Sequence, residues 1–191
     1  MSTSPRIHRA ATLGFALLLI LAFTAVALAQ SPRTIGTVEG NLDGEAWTWY
    51  ALDFGGPGEV EPTAYFSDFG FGLLQISIVA NPEQRFMVQG ALSIDIAVMG
   101  GLDCPCVFDD AEVVWWSTSS MFNEVFVSDE PGWARVTITR WEPVGEGVYV
   151  LEGQVEAELV FIERLGSEPN ADRVRRLDAT FRIDELPEEI F

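Results

Sequence analysis

The sequence has 191 residues, with 29 Asp and Glu against 11 Arg, no Lys and one His, for a net charge of −18. Removal of the leader described below takes away Arg6, Arg9 and His8, which leaves nine Arg against 29 acids, a charge of −20. A mature chain without Lys or His cannot run Ser-His catalysis, a His-ligated zinc site or a Schiff base, and its acidity excludes a nucleic-acid partner, whose phosphates it could not neutralise.

Residues 1–29 carry the three parts of a signal peptide. Arg6, His8 and Arg9 make a positive start, Leu13 to Val26 an apolar middle, and Ala27-Leu28-Ala29 a cleavage site before Gln30. The rival reading is an uncleaved membrane anchor, since Ala10 to Ala29 spans the roughly 20 residues a bilayer needs. The small residues at its end and Pro32 favour cleavage, which predicts a secreted or periplasmic protein with no membrane attachment after processing. Residues 30–191 then form one domain, long enough to bury a real core.

The period of that domain is two. Trp47 and Trp49 share one face of the first aromatic strand, while Ala46, Tyr50 and Leu52 take the other, so both of its faces are apolar. Leu74, Ile76 and Ile78 alternate with Gln75 and Ser77, and Leu92, Ile94, Ile96 and Val98 with Ser93, Asp95 and Ala97. Ala134, Val136 and Ile138 continue the pattern. Leu151, Val155, Ala157, Leu159 and Phe161 then oppose Glu152, Gln154, Glu156 and Glu158, and Leu177, Ala179, Phe181 and Ile183 oppose Asp178, Thr180, Arg182 and Asp184. Alternation of this kind marks strands with one buried and one wet face. Turn signals separate the runs: Asp43-Gly44, Gly55-Gly56-Pro57-Gly58, Asn81-Pro82, Pro131-Gly132, Gly145-Glu146-Gly147 and Glu168-Pro169-Asn170. No stretch has apolar residues at helical spacing over three turns. The expectation is an all-β antiparallel sandwich or closed barrel of about nine or ten strands.

The last two long runs predict a hairpin in which outward Glu152, Glu156 and Glu158 oppose outward Arg176 and Arg182. Cross-strand opposite charges of this kind contribute roughly 0.2–1 kcal/mol each. Arg173 and Arg175 are read as part of the same charge-balanced outer face.

The opening Gly36 to Leu52 (GTVEGNLDGEAWTWYAL) and the closing Val136 to Phe161 (VTITRWEPVGEGVYVLEGQVEAELVF) resemble secreted bacterial all-β domains of unknown function. Such domains begin with a strand, a DG turn and a second strand, and end in long amphipathic hairpins. The resemblance implies an all-β fold and export, and brings no catalytic residues.

Three groups of residues are candidates for chemistry. Cys104 and Cys106 flank Pro105; at this spacing extended Cα atoms lie about 7 Å apart, at the limit of a disulfide, and Pro105 restricts the turn. A local disulfide, an intermolecular bond, two thiols and a soft-metal site are all open, with redox activity as the functional version. Asp103, Asp109, Asp110 and Glu112 crowd one segment and form a candidate calcium site, whereas Glu39 to Tyr50 fails as an EF-hand loop because its twelfth position is Tyr. Trp47, Trp49, Trp115 and Trp116 are candidates for stacking on a ligand, the alternative being core packing. No catalytic residues and no cofactor are assigned. The function expected is an exported binding or structural module for a small molecule, a glycan or an envelope partner. The alternative is a carboxylate-dependent glycoside hydrolase, for which Glu112 and Asp53 are the sort of acids that could flank a sugar.

Overall fold

The computed structural model describes residues 31–56, 61–102, 104–164 and 166–189, so residues 1–29, expected to be a signal peptide, lie outside the described residues. Eleven strands form in the order β1 (Arg33–Leu42), β2 (Glu45–Asp53), β3 (Ala64–Asp68), β4 (Leu73–Asn81), β5 (Leu92–Met99), β6 (Cys106–Phe108), β7 (Glu112–Trp116), β8 (Asn123–Val127), β9 (Trp133–Gly145), β10 (Val148–Arg164) and β11 (Asn170–Pro187). No helix occurs among the described residues. The fold is all-β, as the alternation requires, with β3 and β6 too short to show a period of their own.

All eleven strands belong to one antiparallel sheet, whose path runs β11-β1-β2-β4-β5-β7-β8-β10, with β10 pairing back onto β11. The sheet therefore curls into a ring of eight strands. Closure depends on the length of β10. Its 17 residues give one edge to β11 from Val148 to Phe161, and divide the other between β9 (Val148 to Glu158) and β8 (Val160 to Arg164). Strands β9 and β6 branch off there, and β3 branches off β4 beside β2.

The turns match their residues. Asp43 and Gly44 join β1 to β2 with φ of 53° and 84°, and Leu42 pairs directly with Glu45. That is the two-residue hairpin in which both central residues need a left-handed backbone, a conformation Asp tolerates and Gly adopts freely.

The inward face of the ring is a continuous core. Trp49, Ile76, Ile94, Ile138, Leu151 and Ile183 are fully buried there, and each such side chain contributes about 1.5–3 kcal/mol. A second, smaller cluster lies on the opposite face, where Val125, Val127, Val160 and Ile162 pack with Val114 and Trp116. This explains why Val125-Phe126-Val127 and Leu159-Val160-Phe161-Ile162 are unbroken apolar runs: those strand ends are covered on both sides.

The β10–β11 hairpin forms and sets two of the three expected Glu residues opposite Arg. Glu152 pairs with Arg182 and Glu158 with Arg176, while Glu156 faces Asp178. The Glu152 carboxylate accepts hydrogen bonds from Arg182 at 2.6 Å and Arg140 at 3.0 Å. Arg173 and Arg175 depart from the expected outer face. They fall on the inward parity of β11 and lie over aromatic rings, Arg173 3.4 Å above Phe161 and Arg175 5.6 Å above Trp115. At the end of the ring the inward face reaches solvent, so a guanidinium can cover the core by stacking and still be hydrated.

Candidate functional site

Two ends of the ring differ in chemistry. The stretch of β2 from Trp47 to Asp53, and that of β11 from Arg175 to Pro187, lead from one end to the other. The arginine end is a packed aromatic plug. Trp47 stacks on Trp49 at 5.4 Å and 13°, and meets Trp115 edge-on at 6.3 Å. Trp49 donates its indole N–H to the Gly90 carbonyl at 2.7 Å. Trp49 is 0% and Trp115 8% exposed, which leaves neither a face on which a sugar could stack. Trp116 points to the opposite side of the sheet, as its adjacency to Trp115 demands, and donates to the Met121 carbonyl at 3.3 Å. The four indoles thus form no common platform. The burial of Trp49 and Trp115 has a simple cause: the ring closes over the inward faces of β2 and β7, which a flat sheet would have left open.

The other end holds an open cleft of about 1210 Å³. Phe54, Tyr65 and Phe86 supply its aromatic surface, and Glu61, Glu146, Glu188 and Glu189 supply carboxylates. No Arg is among its lining residues. Phe54 and Phe86 meet edge-on at 6.4 Å and are 38% and 61% exposed, so here, unlike at the Trp cluster, aromatic surface is accessible.

Backbone hydrogen bonds fix the rim. Glu188 N–H donates to the Gly147 carbonyl at 2.7 Å, and Glu189 N–H to the Phe66 carbonyl at 2.8 Å, which tie the C-terminal segment to the β9–β10 turn and to β3. Asp53 holds the opposite side. It accepts from the amides of Gly55 at 2.9 Å and Glu61 at 3.0 Å, and from Arg33 at 3.1 Å. Burial alone would push the Asp53 carboxyl up, but the two amide bonds and the Arg33 guanidinium together hold it below its ordinary value of 3.8. Asp53 therefore stays ionised, and its contribution to stability is present above the ordinary carboxylate range and lost as pH falls through the lowered value. Its oxygens are occupied by the rim, so it acts as a strut and not as a sugar-flanking acid.

The three predicted calcium ligands that lie within the described residues do not converge. Asp103 lies outside the described residues. Asp109 is turned to Arg135 at 2.5 Å, and Asp110 bridges to Ala134 as exposed backbone. Among the described residues no three His, Cys, Asp or Glu side chains stand close enough to hold an ion. Glu112 instead pairs with Asp95 across β5 and β7. Desolvation first, then repulsion from Asp95 and Asp129, raises its carboxyl above the ordinary 4.5. A raised acid stabilises the fold below its unfolded value and loses that contribution as pH climbs through the folded value. Glu112→Gln should consequently raise the melting temperature at about pH 7 and leave it unchanged at about pH 3.5. Thermal melts at both pH values check this, and an unchanged melt at the higher one would show that Glu112 is not crowded.

Cys104 and Cys106 are half-buried, and their sulfurs stand 3.2 Å apart with no disulfide between them. A bond needs about 2.05 Å. The spacing expected from Cys-Pro-Cys is therefore close enough for approach, and the disulfide itself is not formed.

The cleft was missed by sequence reasoning, although one signal was available. Phe54 precedes Gly55-Gly56-Pro57-Gly58 and Phe86 follows Asn81-Pro82-Glu83-Gln84-Arg85, and large aromatics in turn segments have no strand face to fill. No protein-family model, no curated protein and no solved structure matches this chain. The class of protein is thus defined by its own geometry: an antiparallel ring with a filled interior, a cationic aromatic plug at one end and an acidic aromatic cleft at the other.

Proposed function

We propose that the protein is an exported, non-catalytic binding module whose cleft holds a positively charged, partly apolar small ligand. One observation carries this reading: four Glu and three accessible or partly accessible aromatics line the cleft with no Arg among them. Ionised carboxylates only accept hydrogen bonds, so a neutral sugar would find few donors, whereas an ammonium group satisfies the carboxylates and stacks on the rings. The fixed rim supports binding, because a preformed site loses little conformational entropy when occupied.

Titration calorimetry of the leader-free protein with benzyltrimethylammonium and with a neutral oligosaccharide tests the proposal. The ammonium probe is expected to bind, to weaken with added salt, and to lose roughly threefold to tenfold in affinity in Phe86→Ala. Tighter binding of the oligosaccharide would replace the reading by a glycan site. Absence of heat with both probes would overturn it.

A further inference from the structure

The chain has two cysteines, and the fold sets them side by side away from the cleft. Cys104 lies in the bend that leads into β6, and Cys106 is the first residue of that strand. Strand β6 is three residues long and ends the sheet's path, and among the described strands it pairs with β9 alone, through Cys106, Val107 and Phe108. On one side Leu102, Cys104, Cys106 and Phe108 pack against the core. On the other the segment is open: Val107 is 56% exposed, and a Cβ built on Gly100 or Gly101 would meet no atom within 4 Å. The sulfurs thus face each other at 3.2 Å, on a short edge element whose outer side is open.

We infer that Cys104 and Cys106 are a reversible dithiol–disulfide site that exchanges with small-molecule disulfides. Closing the bond requires the sulfurs to approach by about 1.2 Å, which this edge can take up without disturbing the ring. In the exchange, a thiolate of the pair attacks one sulfur of the external disulfide, breaking its S–S bond and expelling one external thiolate. The second thiol of the pair loses its proton and attacks the mixed disulfide at the protein sulfur. The internal S–S bond forms, and the second external thiolate leaves. The protein gives up two electrons and two protons, and the external disulfide becomes two thiols. A metal role has less support, since zinc needs four ligands and no third His, Cys, Asp or Glu completes a group among the described residues. A structural staple is also disfavoured, because a bond between neighbours closes a minimal loop and constrains the unfolded chain little.

Intact-mass measurement after incubation with oxidised glutathione decides the matter. The wild-type chain is expected to lose the mass of two hydrogen atoms, carry no lasting glutathione, and return to its starting mass with dithiothreitol. Cys104→Ser and Cys106→Ser should each retain one glutathione, since the resolving sulfur is gone. Melting temperatures of the oxidised and reduced wild type should differ by only a few degrees. Two retained glutathiones on the wild type, a disulfide-linked dimer, or an unreacted folded chain when the urea-unfolded control reacts would each overturn the inference. So would a large rise in melting temperature on oxidation, the mark of a staple.

Discussion

Trp49→Ala should lower the unfolding free energy by about 3–5 kcal/mol, the range for removal of a large aromatic from a core that cannot collapse. The indole is fully buried and lies against Trp47, in a ring whose walls are fixed by strand pairing on both sides. It is also a link: its N–H bonds the Gly90 carbonyl, and the Gly90 amide bonds the Trp116 carbonyl at 2.7 Å. Alanine would leave both a cavity and a buried carbonyl without its donor. Trp49→Phe separates the two effects, because it retains most of the ring and loses the hydrogen bond, with an expected cost of about 1–3 kcal/mol. Urea titration of the three proteins measures both. A loss below about 1.5 kcal/mol for the alanine variant would mean that the Trp cluster is a loose surface feature, and would revive it as a stacking platform.

Readings of sequence succeeded here where the physics is local. A strand shows its two faces in its own alternation, so β4, β5, β9, β10 and β11 could be recognised from their residues, as could the Asp43-Gly44 hairpin. That outward Glu of β10 would face outward Arg of β11 followed from the two alternations, whereas the register itself, with Glu152 opposite Arg182, Glu158 opposite Arg176 and Glu156 left opposite Asp178, came only with the fold. What was hidden depends on closure. Alternation states that Trp49 and Trp115 share a parity with buried neighbours, and is silent on whether another wall covers them. It likewise puts Arg173 and Arg175 on a face without showing that this face ends in aromatic rings. The cleft is the extreme case: Phe54, Phe86, Gly147 and Glu188 come from four distant parts of the chain, and only the ring brings them together. The acidic segment of Asp103 to Glu112 misled for the opposite reason, since neighbours along a strand point to opposite faces and nearness in sequence does not gather ligands.

Among the described glycines, Gly40 leaves the least room for a side chain. Gly40→Val should cost at least about 3 kcal/mol and is expected to leave the chain unfolded. Gly40 stands on β1 between Trp47 of β2 and Ala179 of β11. A Cβ there would collide with the Asp178 carbonyl oxygen and with the Cα and Cβ of Ala179, which are mostly backbone and cannot swing aside. Gly36, two repeats earlier on the same face, is as confined: a Cβ built on it would fall 2.6 Å from the Arg182 carbonyl oxygen and 2.7 Å from the Ile183 Cα. These two residues let β1 lie against β11 where the sheet must curl, the role small residues take at tight bends of closed sheets. Gly44 supplies the control. Its φ of 84° is left-handed, but nothing lies within 4 Å of a Cβ built on it. Gly44→Ala should therefore cost only the backbone strain, about 1–2 kcal/mol, whereas Gly40→Ala carries a collision with no backbone strain. Chemical denaturation of the alanine pair ranks the two causes. If Gly40→Ala proves milder than Gly44→Ala, then β1 and β11 are not in close contact, and the ring must close less tightly than their pairing requires.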